Sequence, residues 1–283
     1  MVTGMQPMSN RHIGKPITPV ILVGGSGERL KSRFGTQCPK QFIKCARSQT
    51  SLFQQTCARV QNKSLFYASL IVANNAHRGI VKQQGHFNHT CIFEPVGRNT
   101  SAAVIISAIH LNRIGRKNMV VLPSDHVIQN TDRFHNTIIE ACLHMGIHNN
   151  HVLIGVKPQY PSDALGYIQT NCFGNVVFFQ EKPDLTTARD LIASHPETYW
   201  NSGISCLNIS LLLSELSIIA PDFLRCCEQA YSNPTIENYM MIEDKPFDKL
   251  YLEHSHSLFC IPAQFDWIDI GMNPDLLLQK KAA

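Results

Sequence analysis

The sequence predicts an α/β protein built on a mostly parallel mixed sheet with helices on both faces. Three observations carry this. Short β-branched and aliphatic runs alternate with segments of helical spacing through the first half of the chain. The first run ends directly in a glycine cluster, and open parallel sheets bind ligands beyond the carboxyl ends of their strands. The 283 residues, 44% of them hydrophobic, are enough to bury one large core.

Residues 17–23 are β-branched and end in glycine, so they read as a buried strand. Residues 51–60 have helical spacing, with Leu52, Phe53, Thr56 and Val60 near one face. A second strand is expected at 70–73, a mostly buried helix at 100–111, and a third strand at 119–122, stopped by Pro123. A helix at 132–145 and a strand at 152–156 follow, then a proline-rich loop, with later strands at 176–179 and 258–261. The second half has longer irregular stretches, read as a substrate-binding lobe inserted into or built onto the same sheet. Residues 1–16 read as a flexible N-terminal segment. Residues 17–283 read as a single domain with halves of about 17–150 and 151–283.

Composition narrows the function. The formal net charge is +4, a basic excess that suits a phosphate-rich ligand, but the Lys and Arg residues are scattered. No basic run or basic aromatic stripe supports a nucleic-acid partner. Ten cysteines contain no CxxC pair, which argues against a zinc ribbon or a thioredoxin-type site and suits reduced, mostly buried thiols. The polar first sixteen residues lack the apolar core of a signal peptide. The longest apolar stretch, at 102–109, is interrupted by Ser107 and is too short for a bilayer span. A soluble cytoplasmic protein is expected, with no membrane partner.

The strongest local feature is Gly24-Gly25-Ser26-Gly27-Glu28-Arg29-Leu30. Clustered glycines let backbone N–H groups approach and cradle phosphate oxygens, although a plain glycine turn has the same composition. It is not a P-loop, because no Gly-Lys-Ser/Thr follows, and Leu30 stands where the third glycine of a dinucleotide fingerprint belongs. Arg29 and the later Pro39-Lys40-Gln41-Phe42 change the balance. An arginine and a lysine aimed at the same phosphates supply fixed positive charge as a triphosphate is cleaved. Together these residues resemble the GGxGxRL…PKQF signature of the nucleotide-sugar pyrophosphorylases. Two departures stand out: Lys31-Ser32-Arg33-Phe34 replaces the usual Pro-Leu-Ser/Thr segment, and Glu28 replaces Thr.

Further segments narrow the resemblance. Glu94-Pro95-Val96-Gly97-Arg98-Asn99-Thr100 resembles the EPxGRNTAPA block of mannose-1-phosphate guanylyltransferases. It opens a predicted helix, with Asn99 or Thr100 as N-cap, and helix N-termini favour anions. Alone it would read as a capping motif with a buried arginine. Pro123-Ser124-Asp125-His126 resembles the family's PSDH, with His126 read as structural. Asp266-Trp267-Ile268-Asp269-Ile270-Gly271 resembles GWSDVG. Glu181-Lys182-Pro183 and Trp200-Asn201-Ser202-Gly203 match EKP and WNSG; taken alone, the latter would read as a polar turn beside a buried Trp. Residues 161–168 keep only Pro161, Gly166, Tyr167 and Ile168 of PETGYGYI. Phe247-Asp248 and Leu252-Glu253 weakly echo IDYAVME.

The resemblance implies a Rossmann-like sheet of the nucleotide-diphospho-sugar transferase type, a nucleotide-binding first half and a sugar-phosphate-binding second half. It implies synthesis of GDP-mannose and pyrophosphate from GTP and mannose 1-phosphate. Arg29, Lys40 and Asp125 would be catalytic. Gly24, Gly25, Ser26, Gly27, Glu94, Arg98 and Asn99 would bind the nucleotide, and Gly166, Glu181, Lys182 and Asn201 the sugar phosphate. Asp125 and Asp269 would hold Mg²⁺, and a homodimer is compatible with the family. Two rivals remain open: another NTP and sugar 1-phosphate pair, favoured by the departures at 162–165, and a catalytically silent nucleotide-sugar-binding regulator, favoured by Glu28 and 31–34.

Overall fold

The computed structural model describes residues 17–24, 39–45, 48–85 and 89–270. The elements run in chain order as β1 (Thr18–Val23), a 3-10 turn (Lys40–Phe42), α1 (Leu52–Arg59), β2 (Ser69–Asn74), α2 (Arg78–Gln84), β3 (His89–Glu94), α3 (Asn99–Arg113), β4 (Asn118–Pro123), β5 (His126–Ile128) and α4 (Thr131–His148). Then come β6 (His151–Val156), β7 (Tyr167–Thr170), β8 (Val176–Gln180), α5 (Leu185–Ser194), β9 (Thr198–Asn208), α6 (Ile209–Ile219), α7 (Pro221–Ser232), α8 (Ile236–Met240), a π-turn (Asp248–Leu252), β10 (Leu258–Pro262) and β11 (Trp267–Asp269).

The central sheet has nine strands among the described residues, ordered β10-β6-β9-β4-β1-β2-β3, with the β7–β8 hairpin attached through β7 to the start of β9. β9 runs antiparallel to both β4 and β6, whereas β4, β1, β2 and β3 are mutually parallel. The period-2 pleat sends alternate side chains to opposite faces. Val20, Leu70, Val72, Met119 and Val121 join a core with α3, α6 and α7. Ile21, Ile71, Ala73, Val120 and Leu122 join a second core with α1 and α4. Both faces of the sheet are therefore covered by helices.

Local chemistry explains the helix ends. Ser51 forms a reciprocal capping box with Gln54 at the start of α1. Asp184 and Asn208 cap α5 and α6 through Thr187 N–H and Leu211 N–H. α3 opens at Asn99, whose φ of 61° is left-handed and whose Oδ1 accepts from the Thr100 N–H.

One structural alternative is excluded and one expectation fails. Trp200 to Gly203 is not a polar turn but part of β9, the longest strand described. Ser202 is satisfied inside the sheet, its Oγ donating to Ile154 O at 2.6 Å. Register slips there, with Leu153 opposite Ser205 but Gly155 opposite Asn201, and Gly203 takes φ 72°. The second half is also far from irregular. Residues 209–240 hold three helices, and β6 to β10 are all strands of the main sheet.

Candidate active site

The carboxyl ends of β1 and β4 lie side by side, with Leu22 paired to Pro123. Ser124 locks the junction: its backbone N–H and its hydroxyl both donate to Leu22 O, at 3.2 and 2.7 Å. That bond pair fixes the turn presenting Asp125. The short antiparallel ribbon of β5 and β11 then sets Asp269 opposite His126. Lys40 enters on its 3-10 turn, anchored by buried Phe42, which packs edge-on against Phe53. Lys40 Nζ sits 2.5 Å from Asp125 Oδ2 and 4.0 Å from Asp269 Oδ1. Burial alone would raise the Asp125 carboxyl, but the charges of His126 and Lys40 outweigh it and hold it below the ordinary range. His126 packs edge-on to Trp267, whose Nε1–H donates to His126 Nδ1 at 3.2 Å, and this agrees with a structural role.

Two cavities meet at this acid. One, of about 300 Å³, is lined by Gly24, Gln41, Glu94, Arg98 and Asn99. The other, of about 310 Å³, is lined by Gly166, Glu181, Lys182, Asn201 and Asp269. Leu22, Thr100, Pro123 and Asp125 line both. Among the described residues, those expected to bind nucleotide and those expected to bind sugar phosphate thus line two adjoining chambers, with Asp125 at their junction. Gly25, Ser26, Gly27, Glu28, Arg29 and residues 31–34 lie outside the described residues.

In the first chamber Glu94, at the end of β3, is 4% exposed, and its Oε1 has no hydrogen-bond partner among the described residues. Burial pushes its pKa up to about 7. The side chains of Arg98 and Asn99 line the same chamber but hold a distant segment. Arg98 Nε donates to Ile242 O at 2.6 Å, and Asn99 Nδ2 donates to Asp244 Oδ1 at 3.0 Å. Thr100 Oγ1 accepts from Phe247 N–H at 2.8 Å. Residues 240–247 are therefore strapped along the opening of α3.

In the second chamber Lys182 takes a left-handed φ of 48°, uncommon for a lysine, and its Nζ lies 2.8 Å from Glu181 Oε1. Gly166 permits the tight fit: a Cβ there would stand 2.6 Å from Glu181 Oε2. Asn201 Oδ1 accepts from Gly203 N–H at 3.0 Å, and Asn201 Nδ2 donates to Asp248 Oδ1 at 2.7 Å. Asp248 is a site residue that the motif reading left unassigned. Its only sequence signal is the weak 247–253 echo. Burial and the neighbouring Glu181 raise its pKa above the ordinary carboxylate range.

The donor chemistry fits a hard divalent cation. Asp125 and Asp269 offer carboxylate oxygens to a point where the Lys40 ammonium already sits between them as a positive charge. Among the described residues no group of three or more His, Cys, Asp or Glu could enclose a metal, so remaining ligands would have to come from phosphates or water.

Residues 18–282 match the family model described as nucleotidyl transferase. A mannose-1-phosphate guanylyltransferase of Escherichia coli is 32% identical, covering 92% of this chain and 60% of the relative. One of Klebsiella pneumoniae is 31% identical, covering 90% and 58%. The chain thus spans about 60% of the length of these relatives. Among solved structures, a Thermus thermophilus protein named a mannose-1-phosphate geranyltransferase superposes with a TM-score of 0.80 at 22% identity, over 91% of this chain and 77% of that one. At that identity the likeness shows the fold. A Helicobacter pylori protein named a mannose-6-phosphate isomerase superposes with a TM-score of 0.75 at 27% identity, over 90% of this chain and 100% of that one. With the family match running from β1 through the ribbon that carries Asp269, the chain belongs to the nucleotidyl transferase family.

Proposed function

We propose that the protein transfers a guanylyl group from GTP to mannose 1-phosphate, giving GDP-mannose and pyrophosphate. The observation that carries this is the pair of chambers meeting at Asp125, with a buried acceptor in one and a lysine–acid–amide wall in the other. The guanylyltransferases of Escherichia coli and Klebsiella pneumoniae supply the substrate names. Glu94 supports guanine in particular. A purine with N–H donors at N1 and N2 satisfies an unpaired buried carboxylate, whereas adenine presents an acceptor at N1.

A phosphate oxygen of the sugar 1-phosphate attacks the α-phosphorus of GTP, and the bond to the bridging oxygen breaks to release pyrophosphate. The attacking oxygen is ionised at neutral pH, so no general base is required. The obstacle is the meeting of anions, and catalysis rests on positioning and fixed charge. Lys182 holds the nucleophilic phosphate, and Asn201 and Gly166 shape the sugar chamber. Lys40, with Arg29, takes the charge of the departing pyrophosphate. Mg²⁺ held by Asp125 and Asp269 would neutralise phosphate charge at the junction. The cytoplasm is the proposed setting. The nine cysteines within the described residues are free of disulfides, and none of the described helices is long and apolar enough to cross a membrane.

The test is pyrophosphate release across a grid of NTPs and sugar 1-phosphates with Mg²⁺. GTP with mannose 1-phosphate should give the highest rate. A clear preference for another pair would reassign base or sugar. Nucleotide binding without turnover would mark a regulator. Isomerisation of mannose 6-phosphate without any NTP would point instead to the activity named for the Helicobacter pylori protein.

A further inference from the structure

Besides Glu181, and apart from Asp125 and Asp269 at the junction, the sugar-side chamber carries a further acid. Asp248 lines it, opening the π-turn, and its Oδ1 takes the Asn201 amide. That amide is engaged at both ends, since its oxygen accepts from Gly203 N–H. An ionised carboxylate accepts about four hydrogen bonds, so Asp248 keeps acceptor capacity toward the chamber. Glu181 stands nearby with one oxygen on Lys182. Two acids on one wall repel, and burying them is costly unless a donor arrives. The ligand chemistry that satisfies such a wall is a polyol, whose hydroxyls donate to carboxylates.

Asp248 is also held firmly from both sides. Before it, Phe247 N–H donates to Thr100 Oγ1 at 2.8 Å. After it, fully buried Tyr251 stacks on Phe247 with ring centroids 5.2 Å apart. The Tyr251 hydroxyl meets His151 Nε2 at 2.6 Å and donates to Glu215, which also accepts from Ser255 and Ser257. His151 Nδ1 accepts from Asn208 N–H at 3.2 Å, so its proton lies on Nε2 and points at Tyr251. A side chain fixed between two such anchors is aimed. π-segments recur at functional sites for the same reason, because the widened turn displaces a side chain from the ordinary helical track.

We propose that Asp248 is a further sugar-binding residue, accepting a hydrogen bond from a ring hydroxyl of the hexose 1-phosphate and so helping to select the sugar. This rests on the sugar-phosphate reading of the chamber given above. Asn201, bound to the same carboxylate, is oriented by it.

The experiment compares the wild type with Asp248→Asn and Asp248→Ala. Each is assayed with GTP and with mannose 1-phosphate or its 2-, 3-, 4- and 6-deoxy derivatives, and melting curves confirm folding. The wild type should lose roughly tenfold or more in kcat/KM against one deoxy position, as expected for a hydrogen bond to a charged group. Asp248→Ala should raise KM for the parent sugar phosphate by a similar factor, leave KM for GTP within about twofold, and no longer distinguish the parent from that deoxy derivative. Asp248→Asn, which keeps the shape and a neutral acceptor, should fall between the two. If both variants keep the wild-type deoxy pattern and lose activity evenly across the series, Asp248 reads no hydroxyl and the proposal is overturned. Wild-type protein that turns over no hexose 1-phosphate would overturn this proposal and the functional reading together, so the two failures are distinguishable.

Discussion

Changing Glu94 to Gln tests the proposed nucleotide chamber at its most specific point. Glu94 is almost fully buried, with one oxygen unpartnered among the described residues and a pKa pushed up from 4.5 to about 7 by burial. Guanine offers N1–H and N2–H to such a group. Gln keeps one acceptor and turns the other into a donor, so at least one ionic hydrogen bond is lost, worth about 1.5–3 kcal/mol or roughly ten- to a hundred-fold in kcat/KM for GTP. ATP should lose little, because Gln can pair with adenine N1 and N6. The apo protein should move the other way. The folded pKa lies above the unfolded one, so stability falls as pH rises from about 4.5 to about 7 and then levels. The cost at high pH is at most about 3 kcal/mol. Glu94→Gln should therefore melt several degrees above the wild type at pH 8 and converge with it near pH 4. KM for GTP in the wild type should fall as pH rises through 7. Steady-state kinetics with both nucleotides and thermal melts across pH provide the assay. An unchanged GTP-to-ATP ratio together with an unchanged melting profile would refute the assignment.

Asp125→Asn and Asp269→Asn should each lower kcat by roughly a hundredfold or more while Mn²⁺ affinity, measured in the presence of GTP, drops in parallel; near-normal turnover in either would remove that residue from the cation site. Lys182→Ala should raise KM for the sugar phosphate about tenfold or more with a smaller rise for GTP, and Lys40→Ala should act mainly on kcat. The ratio of the two KM changes is the readout, and the reverse pattern would exchange the roles. His151 is held down at about 4 by burial, against the pull of Glu215. Its folded pKa is below the unfolded 6.5, so the stability it contributes is present above pH 6.5 and lost as pH falls through about 4. His151→Asn should flatten that acid limb of the melting profile by up to about 3 kcal/mol, and an equally steep limb in the variant would show that other groups cause it.

Much of the first half was legible because its strands are short β-branched runs whose alternate residues feed two helix-covered faces. β1, β2 and β4 fall where those runs lie, as does β6 at the start of the second half. β9 was not, because its middle is Asn201-Ser202-Gly203, and a buried strand of polar residues makes sense only once Ile154 O and Asp248 are known to receive them. The helices of 209–240 escaped for a related reason. α6 carries the continuous run Leu211-Leu212-Leu213, which does not by itself separate a helix from a buried strand, and α8 is only five residues long, whereas α7 does show helical spacing at Phe223, Cys227 and Ala230 behind a Pro in its first turn. The motif residues sorted into two chambers because each block sits at or near a strand end, a relation that order along the chain preserves. Asp248 could not be weighed that way. Its position depends on Tyr251, Glu215 and His151, which meet only in three dimensions.

The strap formed by residues 240–247 bears on how this protein could be re-engineered. Arg98 and Asn99 sit in the wall of the proposed nucleotide chamber, yet their side chains bond Ile242 and Asp244, and the next residues along the strap end at Asp248 in the proposed sugar chamber. A chimera that imports residues 94–100 from a relative with a different base preference would bring side chains with no matching strap. The damage would surface at the other substrate, as a misplaced Asp248 and Asn201. Exchange of base preference therefore calls for grafting two segments about 140 residues apart as one module, with 94–100 and 240–248 taken from the same donor.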